Sequence, residues 1–483
     1  MPGPTDTTLI TGMSHSRLEW AQPFVTAAVD AVRAADVPAD AVEPWQLGLV
    51  AAACAIHDGA LTPLELVESC LARIADTEPA VHAFVSVAED ARAKAAALTG
   101  RRPETVLHGV PVAVKDLIDV AGTVTAAGTT VFTEPAAEDA TVVTRIGAAG
   151  GIVIGKTHTH EIAYGVSTPQ SRNPWDTSKM TSGSSGGSAA ALAAGQVPAA
   201  LGTDTGGSLR LPSAFCGTTA IKPTHGLLPV AGIRPLAWSH DVVGPMTRDA
   251  RDALLLLRVL SGQAVGDPLV TVGRLPSVAG LRVGIPDDAF LAGARPEVLA
   301  AMDAVADVLA DLGATTVPVT LPSLAVFGAV SSVLVFREAA ESYREHLAGE
   351  PFSHGIQAFL EAGQHAPAED YVMARRVRRR LIEQVTGVLA TVDVLLMPTS
   401  PVPDLPHGAE SVDGVPLIPV LTPFTLPASV TGLPAVAFPA GATDAGMPIG
   451  VQLMGPAHSE TLLAATAHAY QQATPWHLRR PPL

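Results

Sequence analysis

Two serine–glycine segments bring hydroxyls and turn-forming residues together: Ser182-Gly183-Ser184-Ser185-Gly186-Gly187-Ser188 and Gly202-Thr203-Asp204-Thr205-Gly206-Gly207-Ser208-Leu209-Arg210. Glycine reaches dihedrals closed to residues with a Cβ, so such runs can aim several backbone N–H groups at one point. Beside hydroxyls, convergent N–H groups can hold a developing oxyanion while a serine attacks. Hydrophobic runs flank both segments, which separates them from Gly/Ser linkers. The pair reads as an active site.

Each segment has a competing reading. Gly183-Ser184-Ser185-Gly186-Gly187 spells G-x-S-x-G, which would make Ser185 a nucleophile, but that motif needs a strand directly before it. Asn173 to Lys179 is polar and turn-like instead, so the match is rejected. In the second segment, an Ala199–Thr203 strand leads into Gly206-Gly207-Ser208, placing Ser208 at a tight turn among the N–H groups of Thr205 to Ser208. A structural glycine turn capped by a serine is the other reading.

Lysine usage singles out a base. Lys94, Lys115, Lys156, Lys179 and Lys222 are the only lysines among 30 Lys and Arg residues. Lys115 ends the apolar run Val110–Val114 and precedes Asp116. A lysine withdrawn from water loses its proton readily, and the neutral amine can serve as a general base near neutral pH. Taken alone, Lys115 reads more readily as a strand-end cation paired with Asp116 in solvent.

The elements that must position these residues follow a strand–helix alternation. Helical spacing covers Ser16–Ala34 and Pro44–Ala55, and Thr62-Pro63-Leu64-Glu65 opens a third helix, to about Ala75, with a capping box. Val81–Val87, Val110–Val114, Ile152–Ile154, Ala199–Thr203, Leu281–Ile285, Val394–Met397, Ala435–Phe438 and Ile449–Met454 read as strands. Glu89–Leu98, Asp139–Ala149, Ser188–Gly195, Pro296–Leu312 and Glu460–Thr474 read as helices. The Pro/Gly-rich stretch Pro398–Pro434 reads as surface loops with a lid. The expectation is an α/β protein with an N-terminal helical section, residues 1–60, and one continuous catalytic domain, residues 61–483.

Composition narrows the function classes. With 483 residues, 48% of them hydrophobic, the chain can bury a large core, and its net charge of −16 argues against a nucleic-acid or anionic-membrane binder. Cys54, Cys70 and Cys216 lack CxxC spacing and fit a reduced compartment. Met1–Trp20 lacks a basic stretch followed by an apolar one, so no signal peptide is expected and a cytoplasmic location is. The Ala-rich run Ser188–Gly202 is broken by Gln196 and Pro198 and suits a buried helix, not a membrane span. His158-Thr159-His160-Glu161 lacks further ligands for a metal. Arg375, Arg376, Arg378, Arg379 and Arg380 read as a solvated or salt-bridged helix face. No P-loop or dinucleotide fingerprint occurs.

Together the motifs make a specific resemblance. Gly109–Asp116, Ser182–Ser188, Gly202–Arg210, Pro212–Gly217, Ile221–Thr224, Gly244–Arg248 and Met397–Thr399 resemble the amidase signature family of amide hydrolases. The resemblance runs from about Trp45 to Pro475. It implies a large twisted mixed β-sheet flanked by α-helices. It further implies Lys115 as base, Ser184 after a cis Gly183–Ser184 peptide as proton relay, and Ser208 as nucleophile. N–H groups of Thr205, Gly206, Gly207 and Ser208 would form the oxyanion hole, with Ser185, Asp204 and Arg210 in support. Many members carry Gly where this chain has Ser182, which bears on turn geometry.

The resemblance implies a stand-alone amidase that needs no cofactor or metal and cleaves a small-molecule amide or carbamate, including urethanase-type chemistry. Neither nucleic acid nor membrane is an expected partner, and a homodimer is compatible with it. The alternative is the glutaminase component of a tRNA-dependent amidotransferase. Phe132, Tyr164, Trp238 and Phe424–Val430 are candidate substrate-pocket walls, against core packing as the other role for each.

Overall fold

Apolar runs of five to eight residues with no polar alternation belong in the middle of a sheet covered on both faces, and the chain folds accordingly. The structure is a computed structural model that describes residues 43–483 apart from 265 and 350, so the Ser16–Ala34 helix lies outside the described residues. Thirteen strands occur among them: β1 (Phe84–Val87), β2 (Pro111–Lys115), β3 (Ile152–Thr157), β4 (Ala199–Asp204), β5 (Thr219–Lys222), β6 (Val242–Thr247), β7 (Arg282–Pro286), β8 (Thr315–Val319), β9 (Val394–Pro398), β10 (Ser411–Val412), β11 (Val415–Pro416), β12 (Ala435–Ala442) and β13 (Pro448–Met454). Eleven form one sheet in the order β1-β3-β2-β4-β6-β5-β12-β13-β9-β7-β8, and β10 and β11 form a separate hairpin.

The sheet is mixed. β2 runs parallel to β3 and β4, and β7 parallel to β8 and β9. Antiparallel pairings join these two parallel parts through β6, β5, β12 and β13. β2, β4, β9 and β13 are buried along their whole length. Helices cover the faces; the Gly186–Ala193 helix, buried throughout, packs over β2, β3 and β4.

Local chemistry sets several boundaries. The capping box is present: Thr62 Oγ1 accepts from Glu65 N at 3.2 Å, and Glu65 Oε2 accepts from Thr62 N at 2.8 Å. The helix it opens runs to Val81, beyond the expected Ala75, with Pro79 in its last turn and His82 closing it at φ 50°. The helix expected over Pro44–Ala55 is a 3₁₀ turn at Pro44–Gln46 followed by a helix at Leu49–His57. The break has a distant cause, because the Asp252 carboxylate caps the N–H groups of Leu49 and Val50 at 2.6 and 2.7 Å.

Pro398–Pro434 departs from the surface-loop expectation. Only its middle, around the β10–β11 hairpin, is exposed, while Thr399–Pro403 and Phe424–Thr431 are buried. Two short helices, Leu417–Leu421 and Leu426–Thr431, order it. Its carbonyls are held by side chains, since Gln452 Nε2 donates to Pro398 O and Phe424 O at 2.9 and 2.7 Å. This segment is a wall built into the body of the protein.

Candidate active site

Parallel pairing of β2 with β4 puts the C-terminal ends of both strands side by side, where open α/β sheets place their ligands. Lys115 leaves one strand there, and Thr203 and Asp204 leave the other. Lys115 is fully buried. Its Nζ lies 2.8 Å from Ser184 Oγ, 2.9 Å from Ser185 Oγ and 2.9 Å from Thr203 Oγ1. Hydroxyls both donate and accept, so this trio can serve an ammonium with three donors or a neutral amine with two donors and a lone pair. Burial pulls the Lys115 amine down to about 7, against the opposing charges of Asp204 and Asp241. The solvent-paired alternative does not hold: Asp116 pairs with Lys156, at 3.1 Å.

Ser184 sits in the turn that opens the Gly186–Ala193 helix, and the Gly183–Ser184 peptide is cis. A Cβ on Gly183 would collide with the Ser167 carbonyl, so the turn is pressed against its neighbour at that point. Ser182 adopts φ 59°, a left-handed conformation that favours glycine, and its Oγ donates to Val166 O at 3.0 Å. Ser185 is fully buried, and its Oγ also donates to Thr203 O at 3.2 Å. That hydroxyl is committed between Lys115 and the backbone of β4.

Ser208 lies in the turn between β4 and the Arg210–Cys216 helix. The turn is held by Asp204, which accepts from Gly207 N at 2.8 Å and Leu209 N at 3.2 Å, and from Arg210 Nε at 2.9 Å. Arg210 is itself fully buried and donates onward to Thr425 O, Gln452 Oε1 and Ser429 Oγ, each at 2.9 Å. Burial works to raise the Asp204 carboxyl, but the Arg210 guanidinium, the Lys222 charge and the Leu209 N–H together outweigh it and hold the group below the usual range. Gly207 donates its N–H to Asp204. Its φ of 134° and the Thr425 side chain crowding its Cα explain the glycine.

Thr205, Gly206 and Ser208 border a cavity of about 560 Å³, and Gly207 does not. Its other walls are Ala163–Val166, one face of the Leu324–Ser342 helix, and Pro416–Leu426. Of the aromatic candidates, only Tyr164 lines it, stacked on Phe359 at 3.4 Å between ring centroids. Phe132 is core, packed with Tyr343 and covered by the Arg234 guanidinium. Trp238 is half exposed at a smaller cavity of about 160 Å³ on the other side of Thr205. From Phe424–Val430, Leu426 reaches the larger cavity while Phe424 and Val430 are core.

Other motifs fall outside the site. Arg378 of the arginine run donates to Val430 O and Ser239 O, both at 2.7 Å, while Arg379 pairs with Glu383 in solvent. Sequence reasoning misses Thr203 and Asp241, and the helix wall at Leu324–Phe336. Thr203 stands in the second serine–glycine segment, but only strand pairing shows that its hydroxyl faces Lys115.

A glycine-rich hydroxyl turn and a buried lysine thus meet at the strand ends of a mixed sheet, and relationship to known proteins gives the class. A family model described as Amidase matches residues 65–464, and the chain belongs to the amidase family, the amidase signature enzymes, which act on C–N bonds. It is 39% identical to one component of the glutamyl-tRNA(Gln) amidotransferase of Roseiflexus sp. (strain RS-1), over 91% of this chain and 98% of the relative. It is also 39% identical to an amidase of Pseudomonas putida, over 88% of this chain and 95% of that one. A crystal structure of an amidase superposes with a TM-score of 0.81 at 34% identity, covering 88% of this chain and 99% of the other.

Proposed function

We propose that the chain is a stand-alone amidase, acting alone or as a homodimer in the cytoplasm, that hydrolyses neutral and largely apolar carboxamides or carbamates through an acyl-enzyme on Ser208. Neutral Lys115 accepts the Ser184 hydroxyl proton as Ser184 takes the proton of Ser208, whose Oγ attacks the carbonyl carbon. The N–H groups of Thr205, Gly206 and Ser208 receive the oxyanion. Ser184 returns a proton to the nitrogen as the C–N bond breaks, so the leaving group departs as a neutral amine. Water then enters through the same relay, releases the acid and restores Ser208. Ser185 and Thr203 hold the lysine, and the Asp204–Arg210 pair holds the turn.

The cavity carries the substrate assignment. Its described lining contains no charged side chain; Ser331, Ser332, Thr422 and the Tyr164 hydroxyl are its polar groups away from the Ser208 turn. Glutamine would bring an ammonium and a carboxylate, and a buried ion without a partner costs several kcal/mol. The second reading, a glutaminase component of an amidotransferase, draws on the likeness to the Roseiflexus amidotransferase component. Purified chain with no partner protein, offered an aryl amide, an aryl carbamate and glutamine, separates the two. Turnover of the neutral substrates, with a fluorophosphonate label on Ser208 that is lost in Ser208→Ala, is the expected result. Glutamine hydrolysis with inert neutral amides would favour the second reading.

A further inference from the structure

Asp241 belongs to none of the motifs that carry the site, yet it touches the turn that forms it. Thr205 Oγ1 donates to Asp241 Oδ1 at 2.6 Å, and Asp241 Oδ2 accepts the N–H groups of Leu236 and Ala237 at 2.8 and 2.9 Å. One carboxylate thus ties the Thr205 turn to the Leu236–Asp241 loop, and Leu236 lines the same cavity as Ser208. Thr205 and Leu236 also border the smaller cavity with Asp241 itself, so the tie stands in the partition between the two. Without it, the Thr205 hydroxyl loses the bond that anchors it.

The same carboxylate acts on the base. Its negative charge opposes the loss of the Lys115 proton, as does that of Asp204. Other groups share its surroundings: Glu338 of the Leu324–Ser342 helix, Tyr343 just beyond that helix, and Arg234 and His225 around the smaller cavity. Glu338 is committed elsewhere, accepting from Ser239 N at 2.9 Å and Tyr371 Oη at 3.0 Å. Burial lifts the Asp241 carboxyl to about 6, against the hydrogen bonds from Thr205 and the two amides.

We propose that Asp241 is a positioning residue that pins the Thr205 turn in the geometry that receives the oxyanion. This rests on the assignment of Ser208, Ser184 and Lys115 above. Misplacing oxyanion donors costs transition-state binding, so losing the pin lowers kcat with little change in KM.

Two variants test the pin. Asp241→Asn and Thr205→Val are each expected to lower kcat roughly tenfold or more, with KM within about twofold. An Asp241→Asn enzyme with wild-type kcat, or one whose loss appears in KM alone, overturns the proposal. Should Asp241→Asn not fold, an unchanged kcat in Thr205→Val does so. Ser208→Ala and Lys115→Ala serve as controls: if they abolish turnover while Asp241→Asn matches wild type, only the role of Asp241 fails. If they keep wild-type turnover, the underlying site assignment fails first.

Discussion

Lys115 and Lys156 lie on adjacent parallel strands, one position apart in register, and both are withdrawn from water. Their partners differ. Lys156 Nζ faces the Asp116 carboxylate at 3.1 Å, with Ile118 O at 2.8 Å and Thr125 Oγ1 at 2.9 Å. Lys115 faces three hydroxyls. Burial pulls both amines down, but at Lys156 the opposing carboxylate is in contact, whereas the charges that oppose it at Lys115 lie outside its hydrogen-bond shell. A carboxylate partner fixes a cation; hydroxyl partners tolerate either protonation state. Lys222, also buried and also pulled down to about 7, donates to Pro223 O, a carbonyl that cannot give up a proton. Burial alone therefore does not make a base. In the proposed mechanism, the hydroxyl that can pass a proton does.

The comparison breaks most sharply at activity. Lys115→Ala should lower kcat/KM at pH 7 by about 10³-fold or more, measured on an aryl amide, because relay and base act as a unit. Lys156→Ala should instead act on folding: it leaves Asp116 buried without its cation, at a cost of about 3–5 kcal/mol, read as a lower denaturation midpoint. Lys115→Met, which strands no charge, should be far milder in the same measurement. The ordering of midpoints, not only the activities, distinguishes the two corners.

Acidification sharpens it further. Only neutral Lys115 accepts a proton, so kcat/KM should be fully expressed above about 7 and fall as pH drops through that value, tenfold per unit below it. A flat profile from pH 5 to 8 would contradict the neutral base.

Smaller effects concern the walls. Gly328 lines the cavity on the Leu324–Ser342 helix, and a Cβ added there meets no atom within 4 Å. Gly328→Leu should keep turnover of small amides and lower that of bulky aryl amides by about tenfold, roughly the discrimination available from filling apolar space. Ser182→Gly exchanges a left-handed serine and its bond to Val166 O for a freer chain, and should change stability by less than about 1 kcal/mol in denaturant titration.

Where the physics is local, the sequence is readable. Val110–Val114 announces an interior strand by an unbroken apolar run, and Thr62 and Glu65 announce their helix by reciprocal capping. β6 stays hidden because Gly244 and Pro245 argue against an interior strand, yet Pro245 pairs opposite Leu201 of β4. Pro398–Pro434 misleads for the opposite reason: its prolines and glycines suggest solvent, while Arg210 and Gln452 satisfy its carbonyls inside the protein. At the site, Lys115, Ser184 and Ser208 stand out in the sequence through glycine spacing, rare lysine and the family resemblance, and the structure brings Lys115 to within 2.8 Å of Ser184. Asp241 is not, because its meaning depends on Thr205, which is distant in sequence and joined to it only by the tertiary fold.

The neutral base can be observed directly, since five lysines make an assignable spectrum. Isotope-labelled lysine, followed by NMR against pH with Lys115→Arg and Lys222→Arg for assignment, reports the amine itself. The Lys115 resonance should titrate near 7, in step with the acid limb of kcat/KM. A Lys115 that keeps its proton up to the ordinary lysine range, about 10, in an enzyme fully active at neutral pH, would contradict the account.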